Sequence, residues 1–269
     1  MKLFPVITTL FLLPLSSCFT GVESTPKITG AEVKKERVSV SAEDTFLSGV
    51  TDSPLPDWER GKRFVVTDDK IKLIFGSTAP AGQLAGSEIT YSGASESTGI
   101  TGENVTDLAF VTPQGATVLY RINQPLKELE KKSSLSVPFT IQQSMVEQAR
   151  SLLVGKRLYI LTRSWRDDND NSVGGRQFVP VTIDSVSAGN SVYPLKVSFT
   201  DDNKVSARAF LIPGILKGSP RTFSTLFSFS DPRKKYPDIS PENWDLIIRG
   251  RVGTGMTRDE CRLALGAPK

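Results

Sequence analysis

The sequence predicts a mainly β chain with few helices, an α+β arrangement. Two tandem small β-barrel or sandwich units are expected, with a connecting helix and a short capped C-terminal helix. Three observations predict it. Short runs of β-branched and aromatic residues, broken by Gly, Asn, Asp and Pro, recur between residues 63 and 122. A second set, between 155 and 213, repeats the landmarks of the first in the same order. Two stretches, Phe139–Leu153 and Arg258–Leu265, carry helical spacing instead.

The chain opens with Lys2, an apolar run from Leu3 to Leu15, then Ser16, Ser17 and Cys18. A membrane-crossing helix needs roughly 20 apolar residues. This run is shorter and contains Pro5 and Pro14, which suits the apolar segment of a signal peptide. Leu15-Ser16-Ser17-Cys18 resembles the lipobox of bacterial lipoproteins. The resemblance implies removal of residues 1–17, a diacylglycerol on the Cys18 thiol and a further palmitate-type chain on its new amino group. More than one buried acyl chain gives stable anchoring. Phe19 follows, where an Asp would imply retention in the inner membrane, so the outer membrane is expected. The chain would face the periplasm or the cell surface.

Composition narrows the function classes. The formal net charge of +4 becomes +3 once Lys2 leaves with the signal peptide, and charges of both signs are interspersed. There is no basic block with interleaved aromatics, so no nucleic-acid partner is expected. With Cys18 acylated, Cys261 has no partner for an intramolecular disulfide. The chain has no histidine, which removes the usual general base near neutral pH, the Ser-His-Asp and Cys-His arrangements, and the commonest zinc ligand. A non-catalytic chain without a cofactor is expected.

The domain order read from the sequence is a signal peptide (1–17), lipidated Cys18 and a polar tether (18–50), unit 1 (51–126), a linker and helix (127–153), unit 2 (154–218), and a linker with the final helix (219–269). Within the tether, Ser41-Ala-Glu-Asp44 suits the start of a short helix through Phe46 and Leu47. Strands are predicted at 63–67, 71–75, 87–91, 108–112 and 117–122, with Pro113-Gln-Gly115 as a hairpin turn. Gly61-Lys-Arg-Phe-Val-Val66 matches Gly155-Lys-Arg-Leu-Tyr-Ile160, and Gly86–Tyr91 is echoed by Gly175–Val181. Phe110–Ile122 matches Phe199–Ile212, with a polar turn at Asp201-Asp-Asn203. In size each unit resembles an SH3-like barrel, a likeness that carries no function by itself. Between the units, Ile141, Met145, Ala149 and Leu152 fall on one helical face.

Several residues stand out as candidate sites. Asp167, Asp168 and Asp170 form the only dense acidic cluster and are candidate ligands for a weak metal site. An EF-hand is excluded, since Ser172 takes the place of its Gly and Phe178 that of its bidentate Glu. Trp58 and Trp165, near strand ends, are candidate ligand-facing aromatics, the alternative being a buried ring with its indole N–H satisfied. Asp184-Ser185-Val186 resembles a bacterial O-glycosylation sequon, which implies Ser185 as the acceptor.

The final segment, Ile247 to Pro268, carries Gly-Met-Thr, then Glu260, an apolar position, and Leu265-Gly266-Ala-Pro268. It resembles the SmpA/OmlA lipoproteins, the BamE component of the outer-membrane β-barrel assembly machinery. Thr257 and Glu260 have capping-box spacing, so the helix should start at Arg258. Met256, Cys261, Ala264 and Leu265 should form its apolar side, with a buried inert thiol. Gly266 should end it in a positive-φ conformation. The combined expectation is a lipid-anchored envelope scaffold or binding module, holding an envelope protein or cell-wall glycan near the outer membrane. The alternatives are a glycan- or peptidoglycan-binding lipoprotein and a carboxylate- or metal-dependent hydrolase.

Overall fold

In the computed structural model, residues 41–214 and 219–266 are described, so Cys18 and the expected signal peptide lie outside the described residues. Among them, no helix is long and apolar enough to cross a membrane.

The fold begins inside the stretch expected to be tether. Ser41 caps α1 (Ala42–Thr45), and the box with Asp44 is reciprocal. Behind it Leu47 and Val50 are buried in a hydrophobic core, so residues from Ser41 onward are structural.

The first sheet contains β1 (Arg63–Val66), β2 (Glu88–Thr98), β3 (Asn104–Val111), β4 (Thr117–Ile122) and β5 (Thr140–Gln142). All neighbours are antiparallel, in the order β4-β3-β2-β1-β5. Residues 71–75, expected as a strand, form α2 (Ile71–Phe75). Asp68 accepts the Lys70 amide and turns the chain, and Ile71 and Phe75, one helical turn apart, bury against the sheet. After the one-turn helix α3 (Leu126–Leu129), β5 returns to pair with β1, drawn from the stretch assigned to linker and helix.

Helix α4 (Gln143–Leu153) therefore starts later than the expected Phe139, which has φ 62°. Its buried face is Met145, Val146, Ala149 and Leu153; Leu152, expected on that face, is half-exposed. Ile141 and this face join the core of the second sheet, so β5 and α4 carry the chain from one core to the next.

The second sheet contains β6 (Arg157–Ile160), β7 (Ser164–Arg166), β8 (Ser172–Gly174), β9 (Val179–Ala188), β10 (Leu195–Asp201), β11 (Ser206–Leu211) and β12 (Phe227–Ser228). Its order is β12-β6-β9-β10-β11-β7-β8. With the β7–β8 hairpin set aside, this is the strand order of the first sheet, and the correspondence extends to single residues. Gly61 (φ 90°) donates its amide to the Tyr91 carbonyl and Gly155 (φ 79°) to that of Ile183. Tyr91 pairs with Phe110 and Ile183 with Phe199, and both phenylalanines are fully buried. The ladder slips at Ser92 in β2 and at Asp184 in β9, so both copies carry a bulge directly after the equivalent residue. The expected echo of Gly86 at Gly175 is displaced by three positions. Gly86 donates to the Val66 carbonyl as Phe178 does to that of Ile160, and both have positive φ.

Each sheet is preceded at its fifth strand by a one-turn helix, α3 in the first and α5 (Phe223–Leu226) in the second. Two further helices complete the chain, α6 (Pro241–Ile248) and α7 (Arg258–Leu265). Helix α7 starts at Arg258, with the reciprocal Thr257–Glu260 box, and Gly266 ends it at φ 88°. Its packed residues are Ala264, Leu263 and Met256; Leu265 is exposed and Cys261 only half-buried, so two of the four expected apolar positions do not face the contact. The partner is α6, whose Trp244 and Ile247 complete a third cluster. Gln177 ties both helices to the sheet. Its Nε2 lies 3.0 Å from the Ile247 carbonyl oxygen, 2.8 Å from that of Leu263 and 3.2 Å from that of Ala264.

Candidate functional site

The two sheets differ most in what joins the first strand to the second. In the first copy this connection forms α2 and packs on β4. In the second it forms the β7–β8 hairpin, which pairs with β11 and extends the sheet to an open edge at β8. A cleft of about 490 Å³ lies beside this hairpin. The β10–β11 turn and the segment after α6 form its other walls.

Three guanidinium groups line it, from Arg176, Arg249 and Arg251. Arg176 is fixed from behind: its Nη2 donates to Asp201 Oδ2 at 2.6 Å. The Asp201 side chain is fully buried while that of Arg176 is 29% exposed. The other Asp201 oxygen accepts the amides of Asn203 and Val205, both at 2.9 Å. With its amide oxygen turned toward the same guanidinium, Asn203 accepts from Nη1 at 2.9 Å and from Nη2 at 3.1 Å. One face of Arg176 is thus held by one carboxylate and one amide oxygen.

Arg249 and Arg251 flank Gly250 (φ 65°), and a Cβ at Gly250 would strike the Arg163 guanidinium. The Arg251 amide donates to the Leu246 carbonyl, closing the turn after α6. Arg249 pairs with exposed Asp245 at 3.2 Å; Arg251 has no ion pair among the described residues. At the hairpin, Gly175 lies so close to the Trp165 indole that any side chain there would clash.

The expected site residues fall differently. Trp58 and Trp165 are 6% and 3% exposed, with their indole N–H groups donating to the carbonyls of Ser53 and Thr162. Trp244 is 8% exposed. Trp58 and Trp165 are core rings with satisfied donors, which corrects their assignment as exposed ligand-facing aromatics, and the burial of all three counts against a glycan groove built on them. Trp165, though buried, is among the residues that line the cleft.

The acidic cluster is corrected as well. Asp167 Oδ1 accepts the amides of Asn169 and Asn171, forming the turn of the β7–β8 hairpin, and these bonds hold its carboxyl below the usual range. Asp168 pairs with Arg208 at 2.9 Å and Asp170 with Lys196 at 3.1 Å. Asp167 is taken up by the turn and the other two carboxylates by Arg208, which lies within 4 Å of both, and Lys196; no group of three Asp, Glu or Cys side chains converges on a metal position among the described residues. Ser185 is exposed on β9, directly after the bulge at Asp184, whose carboxylate accepts from Thr200 Oγ1 at 2.7 Å.

The arginines escaped sequence reasoning because they are distant in sequence and separate in function. Arg176 follows a Gly-Gly pair and Arg249–Arg251 lay inside the final motif. Only the doubling of Asp201-Asp202 at the turn hinted that a carboxylate there served more than the turn. No protein-family profile, curated protein or solved structure matches this chain.

Proposed function

We propose that this chain is a non-catalytic binding module of the bacterial envelope, tethered through lipid on Cys18 to the outer membrane and facing the periplasm. Its two sheets are read as tandem SH3-like barrels, which the shared strand order and the paired bulges support. The second barrel is the binding copy and the first is its structural support. The observation that carries this reading is the cleft on the second copy, where Arg176 is oriented by a buried carboxylate beside two further arginines. A scaffold that only fills space has no need of a guanidinium fixed at a cleft wall. The resemblance of residues 247–268 to BamE-type lipoproteins, within which Thr257 and Glu260 form a reciprocal capping box, favours a partner among outer-membrane assembly or maintenance components.

Two measurements test the reading. A photoreactive residue at Val173 or Arg251 in intact cells should capture an envelope protein that the same probe at Lys127, on the first copy, does not. Equal capture from both positions overturns the binding role. Cys18→Ala should release the chain from the membrane fraction, and persistence there overturns the anchor.

A further inference from the structure

We infer that the cleft of the second barrel receives an extended acidic peptide segment, whose carboxylates are read by Arg176 and Arg251. The inference rests on the binding-module reading and names its ligand. The first argument is a comparison within the chain. Thr112 stands where Asp201 does, at the same corner of the equivalent hairpin. Its hydroxyl accepts the Ala116 amide at 3.2 Å, as Asp201 Oδ1 accepts that of Val205. A threonine therefore suffices for this turn. The carboxylate in the second copy uses its remaining oxygen, Oδ2, to hold Arg176 at the wall of the cleft.

Charge comes next. The cleft presents three arginines against two carboxylates, and Asp201 is fully buried behind Arg176 while Asp167 is occupied by the hairpin turn. Arg249 is shared with Asp245, but Arg251 is exposed with no carboxylate partner among the described residues. A planar guanidinium with donors left over matches a carboxylate by two parallel bonds.

The shape selects a peptide over a small anion. Strand β8 is the open edge of the sheet, and its residues are exposed. Val173 on β8 and Val205 across the cleft are 38% and 49% exposed. An edge strand offers main-chain donors and acceptors to an added strand, and side-chain contacts then set its sequence. Alternate acidic residues would face the arginines, and the apolar residues between them would meet the valines.

The test uses the mature, lipidated chain in nanodiscs and a fluorescent hexapeptide, Asp-Val repeated three times, with an Asn-Val version as its neutral match. The acidic peptide should bind at least about tenfold tighter than the neutral one, and its affinity should fall as salt rises. Arg251→Ala and Arg176→Ala should each weaken it about tenfold or more, while Lys127→Ala leaves it unchanged. Arg251 is exposed, so its variant keeps the fold whatever becomes of the Arg176 variant. Binding of both peptides with equal affinity, protecting β8 amides from exchange, overturns the acidic assignment and leaves the binding module standing. Protection of no β8 amide by either peptide overturns both. Complete displacement by inorganic phosphate at equimolar concentration identifies a small-anion site and overturns the peptide.

Discussion

Thr112 and Asp201 occupy the same corner of two equivalent hairpins, yet only Asp201 also holds a guanidinium. Asp201→Thr should therefore keep the bond to the Val205 amide and lose those to Arg176 and to the Asn203 amide. Arg176 is partly exposed, so the expected loss is about 1–2 kcal/mol, below that of a fully buried pair. Asp201→Ala removes the turn acceptor as well and should cost about 1 kcal/mol more. Urea unfolding measures both; equal losses for the two variants would mean that the hydroxyl does not replace the carboxylate in the turn.

Much of the molecule could be read from residue patterns, and the failures have local causes. The Ser41 and Thr257 caps were legible because a cap is a contact within four residues. The shared strand order of the two sheets is foreshadowed by Gly61/Gly155 and Phe110/Phe199, positions fixed by positive φ and by full burial. Residues 71–75 misled because Ile-Lys-Leu-Ile-Phe suits a strand as well as a helical turn, and Asp68 decides between them. Helix α6 falls in the stretch expected as linker, although Ser240-Pro241 is a start signal, because eight residues carry too few turns for a clear apolar period. The cleft was illegible because it joins residues 167–176, 201–207 and 249–251, whose meeting depends on the sheet.

Gln177 is expected to be the fastening of the C-terminal helices. Its amide serves carbonyls near the ends of both α6 and α7. Gln177→Leu leaves the Leu263 and Ala264 carbonyls without this donor, while that of Ile247 keeps the Gly250 amide, at about 1–3 kcal/mol. Amide exchange should rise throughout α6 and α7 and stay unchanged in β1–β4. A uniform rise across the chain would show that the helices unfold only with the whole.

Asp52 should set a pH dependence. Burial pushes its carboxyl up to about 6 from 3.8, against the lowering effect of Lys62. Lys62 is itself held down by burial and donates to Ser144 Oγ at 3.0 Å; Asp57 and Glu147 add their charges around it. The folded chain keeps the Asp52 proton where the unfolded chain has released it, so stability falls as pH rises from about 4 to about 6 and is flat above. The carboxyls of Asp107, Asp231 and Glu260 are lowered by hydrogen bonds, and their stabilisation is lost only as pH falls further. Asp52→Asn should therefore melt higher than the parent at pH 7 and converge with it near pH 4. A difference in melting temperature that does not change with pH would remove Asp52 as the cause.

The left-handed positions give the sharpest separation of turn from packing. In the first copy Gly115 (φ 80°) and Gly86 (φ 83°) hold them; in the second, Lys204 (φ 64°) and Phe178 (φ 58°) do. An L residue there costs roughly 1–2 kcal/mol, and glycine relieves it at some cost in chain entropy. Lys204 is exposed in the β10–β11 turn, so Lys204→Gly should stabilise the chain by about 0.5–1 kcal/mol. Phe178 instead packs edge-on against Trp244, with ring centroids 6.1 Å apart, and it belongs to the cluster that holds α6 and α7. Phe178→Gly relieves the same strain but deletes that contact, so a net loss of about 2–3 kcal/mol is expected. Opposite signs for the two variants in urea unfolding are the predicted outcome. Stabilisation by both would mean that the Phe178–Trp244 contact contributes less than the backbone strain it requires, and that Gln177 and the packing of Ile248 hold the C-terminal helices without it.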